Sequence, residues 1–182
     1  MITVICSFLI ICPAQAADEP PAVGGTLPPI KLAVPDNAQA KGYLGLSGGG
    51  QFTVPQIEAQ VVIIEIFNMY WPFCQKEAFR VNELYRAIQS KKDLKNKIKL
   101  IGIGSGNSDF EVNFFRKKYE VPFPLFSDED YSIHKALGEV RTPYFIGVRL
   151  KKDGSSEVFY SKLGGFKDAG KFLKSMVKSS GL

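Results

Sequence analysis

Cysteine and histidine are scarce in this sequence, and their scarcity limits the chemistry it can support. Among 182 residues there are three cysteines, Cys6, Cys12 and Cys74, and a single histidine, His134. A lone histidine is more often a surface or capping residue than a metal ligand or a catalyst. We therefore predict no metal site and no cofactor.

Long apolar runs are also missing. A membrane-spanning helix needs about 20 apolar residues, and the N-terminal apolar run, Ile2 to Cys12, is shorter than that. It is followed by Ala14-Gln15-Ala16, the small-residue pattern of a signal-peptidase site. We predict that residues 1–16 are a signal peptide cut before Ala17, which gives a periplasmic or secreted protein without a stable membrane span. No lysine or arginine precedes the run, so the true start codon stays open.

Removal of residues 1–16 would leave Cys74 as the only cysteine. The mature chain could then form no internal disulfide. A single thiol in an exported protein is buried and inert, paired with another molecule, or reactive.

Strong charge of either sign is absent as well, since the formal net charge is only +5. Much of the excess lies in five lysines around a predicted helix end and the following strand, where a solvated cluster is the simplest interpretation. Aromatic residues are not interleaved with these lysines, as they would be in a nucleic-acid groove. We predict no nucleic-acid partner. The five are Lys91, Lys92, Lys95, Lys97 and Lys99.

The most informative stretch is residues 61–77, VVIIEIFNMYWPFCQKE. Its β-branched apolar start predicts a strand buried on both faces, interrupted by one carboxylate, Glu65. A helix follows, with Pro72 suited to its first turn. Cys74 in that first turn would have a lowered thiol pKa, because helix N-terminal amides favour the thiolate.

The predicted helix, residues 73–90, also supports an opposite interpretation of Cys74. Its apolar stripe places Cys74 on the inward face, which makes a structural, poorly reactive thiol a serious alternative. The stripe consists of Cys74, Ala78, Val81, Tyr85 and Ile88.

The rest of the chain alternates strand and helix patterns. Residues 17–39 are rich in proline and predict an extended lead-in, and residues 40–182 predict one domain. Within the domain, Ser108 and Glu111 form a capping box, and Thr142-Pro143 precedes a strand start. Strands are predicted at residues 43–46, 51–54, 98–104, 144–146 and 157–160, and helices at residues 108–119, at 132–139 and near the C-terminus. This order predicts an α/β fold with a mixed sheet covered on both faces.

Three of these segments resemble thioredoxin-fold proteins, closest to the TlpA-like and AhpC/TSA redoxins. They are the strand–loop–Cys74–helix stretch, the piece from residues 99 to 130, and Thr142-Pro143, which is similar to the family's cis-proline loop. The resemblance extends over residues 25–180. It implies a thioredoxin-like fold, a central mixed β-sheet flanked by helices on both faces, with an N-terminal β-hairpin extension.

The chain departs from the family pattern at one decisive position. The resemblance places the first cysteine of a Cys-x-x-Cys motif at position 71, where this chain has Trp71, and it places the second at Cys74. Dithiol exchange needs both thiols. A protein of thiol-oxidoreductase ancestry would therefore retain at most monothiol chemistry, through a mixed disulfide or a sulfenic acid.

Glu65 matches the buried acid that lies behind the cysteine pair in many thioredoxins. Burial should raise its pKa. It could accept the proton of Cys74, or it could be a structural residue satisfied by a lysine or water. Cys74 and Glu65 are the catalytic candidates. Peroxidase activity ranks low, because Phe67 and Trp71 stand where peroxiredoxins carry proline and threonine.

The sequence leaves two functions open. One is an oxidoreductase that acts on protein thiols or disulfides through Cys74. The other is a non-catalytic binding module, in which an extended peptide adds as a strand beside the cis-proline loop. The resemblance implies a substrate-binding set for either case: Trp71, Pro72, Phe73, Thr142 and Pro143. Thiol titration of the folded protein separates the two functions.

Overall fold

The computed structural model describes residues 19–182. The predicted signal peptide, its cut before Ala17, and Cys6 and Cys12 lie outside the described residues. The elements in chain order are β1 (Lys31–Ala33), α1 (Ala38–Leu44), β2 (Gln51–Thr53), a short 3-10 turn (Val54–Gln56), β3 (Val61–Phe67), α2 (Pro72–Gln89), β4 (Ile98–Ser105), α3 (Asp109–Lys118), β5 (Leu125–Asp128), α4 (Ser132–Ala136), β6 (Tyr144–Leu150), β7 (Ser156–Leu163) and α5 (Ala169–Ser180).

A five-stranded mixed sheet in the order β5-β4-β3-β6-β7 forms the centre of the molecule. β3 runs parallel to β4 and antiparallel to β6, and β4 is parallel to β5. Every residue of β3 is buried, as its continuous apolar run predicts for a strand covered on both faces. The predicted fold class is therefore confirmed.

Alternate residues of β3 face two different apolar layers. Val61, Ile63 and Phe67 pack with side chains of α2, α3 and α5. Val62 and Ile64 pack with the other layer, formed by α1, α4 and the β1–β2 pair. Because side chains alternate along a strand, Glu65 faces the same layer as α2.

The prediction of a strand at residues 43–46 is wrong. Tyr43 and Leu44 end α1, which is closed by Gly45 in a left-handed conformation with φ 68°. Asn37 caps the start of the helix, where its side chain accepts a hydrogen bond from the Ala40 amide at 2.7 Å. These two caps outweigh the weak strand pattern. The N-terminal two-stranded sheet pairs β1 with β2 in antiparallel register, and α1 lies between them in sequence.

Tyr43 connects α1 to the central sheet. β5 covers β4 only from Gly102 onward, and the Tyr43 hydroxyl accepts a hydrogen bond from the Leu100 amide at 2.8 Å. Burial raises the pKa of Tyr43. Lys99 lies 4.7 Å from the centre of the Tyr43 ring and is buried, so it is not one of the solvated lysines that the sequence predicts.

Among residues 19–182 we find no helix with the length and apolar character that a bilayer crossing requires.

Candidate active site and groove

Two asparagines position the loop that joins β3 to α2. Asn68 donates from its side chain to the Ser105 carbonyl and accepts from the Tyr70 amide, both at 2.9 Å. Asn107 accepts from the Met69 amide at 2.9 Å. The loop is thereby fixed to the end of β4. Neither asparagine is among the site residues predicted from the sequence, although each follows a parallel strand at the edge where such sites form.

α2 begins directly after this loop, with Pro72 in its first turn as predicted. Trp71 precedes it as the capping residue, and its side chain makes no capping hydrogen bond. Trp71 is 49 % exposed and Phe73 is 62 % exposed. Cys74, one residue further, is completely buried.

The surroundings of Cys74 reverse the expectation of a low thiol pKa. Burial raises the pKa of the Cys74 thiol to about 11, and the negative charges of Glu65 and Glu77 add to the effect. The Asn68 amide, which donates to the sulfur at 3.5 Å, and the Thr142 side chain both act to lower the thiol pKa, but their effects are weaker than that of burial. Because desolvation exceeds the effect of the helix amides, the inward-facing interpretation of Cys74 describes its environment better.

Glu65 is buried, and its pKa is raised to about 8, first by burial and then by the charge of Glu77. The direction agrees with the sequence prediction. At neutral pH the carboxyl is mostly protonated. Transfer of a proton from a thiol of pKa about 11 to a carboxylate of pKa about 8 is unfavourable by roughly a thousandfold. This difference weighs against Glu65 as the base for Cys74.

A groove of about 1130 Å³ lies between the start of α2 and the loop that precedes β6. Trp71 and Phe73 form one side of it, and Thr142 and Pro143 form the other. The Thr142–Pro143 peptide bond is cis. Of the predicted substrate-binding residues these four line the groove, whereas Pro72 does not.

Gly164 and Gly165 also line the groove, and Glu77 binds the residue that follows them. Glu77 was not predicted as a site residue from the sequence. Its carboxylate accepts a hydrogen bond from the Phe166 amide at 2.8 Å and pairs with Arg80 at 3.2 Å. Gly165 lies so close to this carboxylate that a side chain there would collide with it. The signal for Glu77 was its position three residues after Cys74, directly before Ala78 of the inward stripe of α2.

His134 also lines the groove. Its ring nitrogen Nε2 lies 2.9 Å from the Val140 carbonyl oxygen, and its backbone amide donates to Asp128 at 2.8 Å. The ring contact ties α4 to the segment that leads to Thr142, and the amide contact lies at the start of α4.

Phe67 and Trp71 stand at the two positions where the resemblance places the proline and threonine of a peroxide site. Phe67 is buried and stacks on Phe115 with ring centres 4.7 Å apart. Trp71 projects into the groove. Neither side chain provides the hydroxyl that the resemblance requires for peroxide binding, in keeping with the low rank of that activity.

Solved structures with the same architecture are redox proteins at low sequence identity. The thioredoxin domain of a thiol-disulfide oxidoreductase from Bacteroides vulgatus is 14% identical with TM-score 0.61, over 86% of this chain and 96% of that one. AhpC of Mycobacterium tuberculosis is 15% identical with TM-score 0.58, over 86% and 96%. A secreted disulfide oxidoreductase of Mycobacterium tuberculosis is 18% identical with TM-score 0.55, over 71% and 90%. These likenesses show a shared thioredoxin-like fold.

Comparison with curated proteins gives no match. The model of the AhpC/TSA family matches residues 24–153, which is most of the chain. The match includes β3, the start of α2 and the Thr142–Pro143 loop. The chain therefore belongs to the AhpC/TSA family and is a redoxin of the oxidoreductase lineage with a thioredoxin-like fold.

Proposed function

We propose that this protein is an exported redoxin whose groove binds an extended polypeptide segment and does not perform dithiol exchange. The observation that carries the proposal is the contrast between Trp71 and Cys74. A half-exposed indole occupies the place that the resemblance assigns to the attacking cysteine, and the one cysteine among residues 19–182 is completely buried. Dithiol exchange needs an accessible thiolate and a second thiol.

The groove supplies what strand addition requires. Among the described residues, Arg141 and Thr142 use neither their backbone amides nor their backbone carbonyls in hydrogen bonds. An extended segment beside them can pair with these groups. The exposed rings of Trp71 and Phe73 face the same space and offer apolar contact to its side chains. Backbone pairing would thus provide affinity, and the aromatic wall would provide selectivity.

A matched pair of variants on α2 tests this function. Phe73 and Phe79 are both exposed phenylalanines of this helix, with exposures of 62 % and 61 %, but only Phe73 lines the groove. Peptides of about eight residues, roughly 26 Å long when extended, are titrated while the fluorescence of Trp71, the only tryptophan, is recorded.

We expect the emission of Trp71 to change on binding. Phe73→Ala should weaken binding at least about fivefold, because the lost contact area is apolar, and Phe79→Ala should leave it unchanged. Equal losses in the two variants, or no peptide that alters Trp71 emission, would contradict the proposed function.

Monothiol chemistry at Cys74 is a second candidate, and one observation favours it. The Asn68 amide donates a hydrogen bond to the sulfur, and this amide and the Thr142 side chain both act to lower the thiol pKa, which favours the thiolate. In this reaction the thiolate attacks glutathione disulfide, forms a mixed disulfide at Cys74 and releases one glutathione thiolate. Intact mass of the folded protein after incubation tests it. Mass gain before denaturation supports this candidate, and gain only after denaturation excludes it.

A further inference from the structure

Cationic side chains stand on both sides of the groove. Lys76 and Arg80 project from the exposed face of α2, and Arg141 lies opposite them, directly before Thr142. Within residues 19–182 neither Lys76 nor Arg141 takes part in an ion pair. Their charges therefore remain available to a molecule that enters the groove.

The carboxylates of the groove do not balance these charges. Glu77 is buried and is already bound to the Phe166 amide and to Arg80. Glu139 is the other acid in the lining, and it is exposed. With Arg80 paired to Glu77, the two unpaired cations Lys76 and Arg141 face one accessible carboxylate, and the whole chain has a net charge of +5. Such a field attracts anionic partners and repels cationic ones.

The lining that carries these cations also contains large apolar side chains. Tyr70, Trp71, Phe73 and Leu163 are all large, exposed apolar side chains of the groove lining. A purely apolar segment would cover these side chains but would form no ion pairs with the exposed cations beside them. A segment with an aromatic or aliphatic residue between carboxylates can cover the apolar side chains and pair with the cations at the same time.

We propose that the groove selects acidic polypeptide segments, with glutamate or aspartate on each side of an apolar residue. This inference rests on the proposed function and names the class of partner for the same site. The complementarity acts through exposed pairs, each of which contributes at most about a fivefold gain in affinity.

Three peptides of equal length test the selection. They share a central phenylalanine and differ only in the flanking residues, which are glutamate, glutamine or lysine. We expect the glutamate peptide to bind roughly three- to tenfold more tightly than the glutamine peptide, and the lysine peptide to bind most weakly. The glutamate advantage should shrink at high salt, because screening weakens exposed charge pairs.

The ratio of glutamate to glutamine affinity identifies the residues responsible. The double variant Lys76→Gln with Arg141→Gln should bring this ratio close to one. Lys174→Gln, an exposed lysine of α5 outside the groove lining, should leave the ratio unchanged. If Lys174→Gln lowers the ratio as much as a groove substitution does, overall charge explains the preference and the inference fails.

Failure of the inference and failure of the proposed function give different results. Equal binding of the glutamate and glutamine peptides overturns the acidic selection and leaves peptide binding intact. No binding of any of the three peptides overturns the proposed function and the inference with it. A concentration-dependent dimer in sedimentation that excludes the peptide would assign the groove to a second copy of the chain and also overturn the inference.

Discussion

Two opposing effects act on the thiol of Cys74. Its place in the first turn of α2 favours the thiolate, and the Asn68 amide and Thr142 side chain add to this. Complete burial and the carboxyls of Glu65 and Glu77 favour the neutral thiol. Burial is the largest effect, so the pKa rises to about 11.

The alkylation rate of Cys74 should therefore follow an alkaline profile. With a pKa of about 11, roughly 0.1 % of the thiol is ionised at pH 8 in the folded protein. We expect iodoacetamide to react slowly at pH 8 and about tenfold faster for each pH unit up to pH 10. The chain that begins at Ala17 is used, since Cys74 is its only cysteine.

The same protein in guanidinium chloride provides the reference. Its alkylation rate should level off just above the ordinary cysteine pKa, because the thiol is then exposed and fully ionised. Cys74→Ser shows the background rate. If the alkylation rate of the folded protein already levels off at or below pH 7, Cys74 is not a buried, inert thiol, and monothiol catalysis is supported.

Glu65 makes the stability of the fold depend on pH. Its pKa is about 8 in the folded protein, against 4.5 for an ordinary glutamate. Between these values the folded state binds more protons than the unfolded state, so the free energy of unfolding falls as pH rises. The stabilising contribution is complete below about pH 4.5 and is lost as pH rises through 8, with a slope of at most about 1.4 kcal/mol per pH unit.

Glu65→Gln should remove this dependence. We expect urea midpoints of the wild type to decline from pH 5 to pH 8, and those of Glu65→Gln to decline less. Glu83→Gln, an exposed residue of α2, should keep the wild-type profile. Parallel profiles for the wild type and Glu65→Gln would mean that Glu65 is ionised in the folded state. The alkylation profile of Cys74 should also shift to lower pH, because the charge of Glu65 raises the thiol pKa.

Some helices and strands are stabilised by hydrogen bonds to residues distant in sequence, and α1 is the clearest example. The hydroxyl of Tyr43, near the end of α1, accepts the hydrogen bond of the Leu100 amide. β5 pairs with β4 only from Gly102 onward, so it offers this amide no partner. Tyr43→Phe would leave this amide without its partner. We expect a loss of about 1 to 3 kcal/mol in the free energy of unfolding, and faster hydrogen exchange at Leu100.

Tyr131→Phe is the matched control, because Tyr131 is 45 % exposed and its hydroxyl makes no hydrogen bond to residues 19–182. Its effect should stay within about 0.5 kcal/mol. Unchanged exchange at Leu100 in Tyr43→Phe would show that the hydroxyl does not bind that amide.

The start of α2 tests the interpretation of position 71. Trp71 caps the helix three residues before Cys74, the spacing of the dithiol motif that the resemblance implies. Trp71→Cys should form an internal disulfide on oxidation and should reduce insulin with dithiothreitol, whereas the wild type should not. Intact mass and the insulin assay measure the two effects.

Trp71→Ser controls for loss of the indole, because it lacks a thiol of its own at the same position. Circular dichroism establishes that both variants fold. If folded Trp71→Cys forms no internal disulfide, Trp71 does not occupy the first-cysteine position.

At the scale of the whole molecule, the predicted location depends on residues 1–16. We propose that the protein is exported and cut before Ala17. Intact mass of the protein recovered from the extracytoplasmic fraction should correspond to a chain that begins at Ala17. Retention of Met1 to Ala16 would contradict the signal peptide.

Local sequence patterns determined much of the architecture. The apolar run of β3, the stripe of α2 and the capping box at Ser108 predict elements that the structure contains, because each pattern depends on neighbours only a few residues away. The place of Cys74 and the direction of the Glu65 pKa shift followed from the same patterns. Residues 43–46 were misassigned, since helix caps at Asn37 and Gly45 outweighed a weak strand signal.

Only the tertiary structure decided the character of the site. The thiol pKa of Cys74 depends on desolvation by side chains from several elements, which no local pattern encodes. Glu77 binds the amide of Phe166, 89 residues away in sequence. Arg141 faces Lys76 and Arg80 across the groove because antiparallel pairing of β3 with β6 brings the loop before β6 to the start of α2. Charge, burial and hydrogen bonding at this site are properties of distances in space, which are fixed only when the chain has folded.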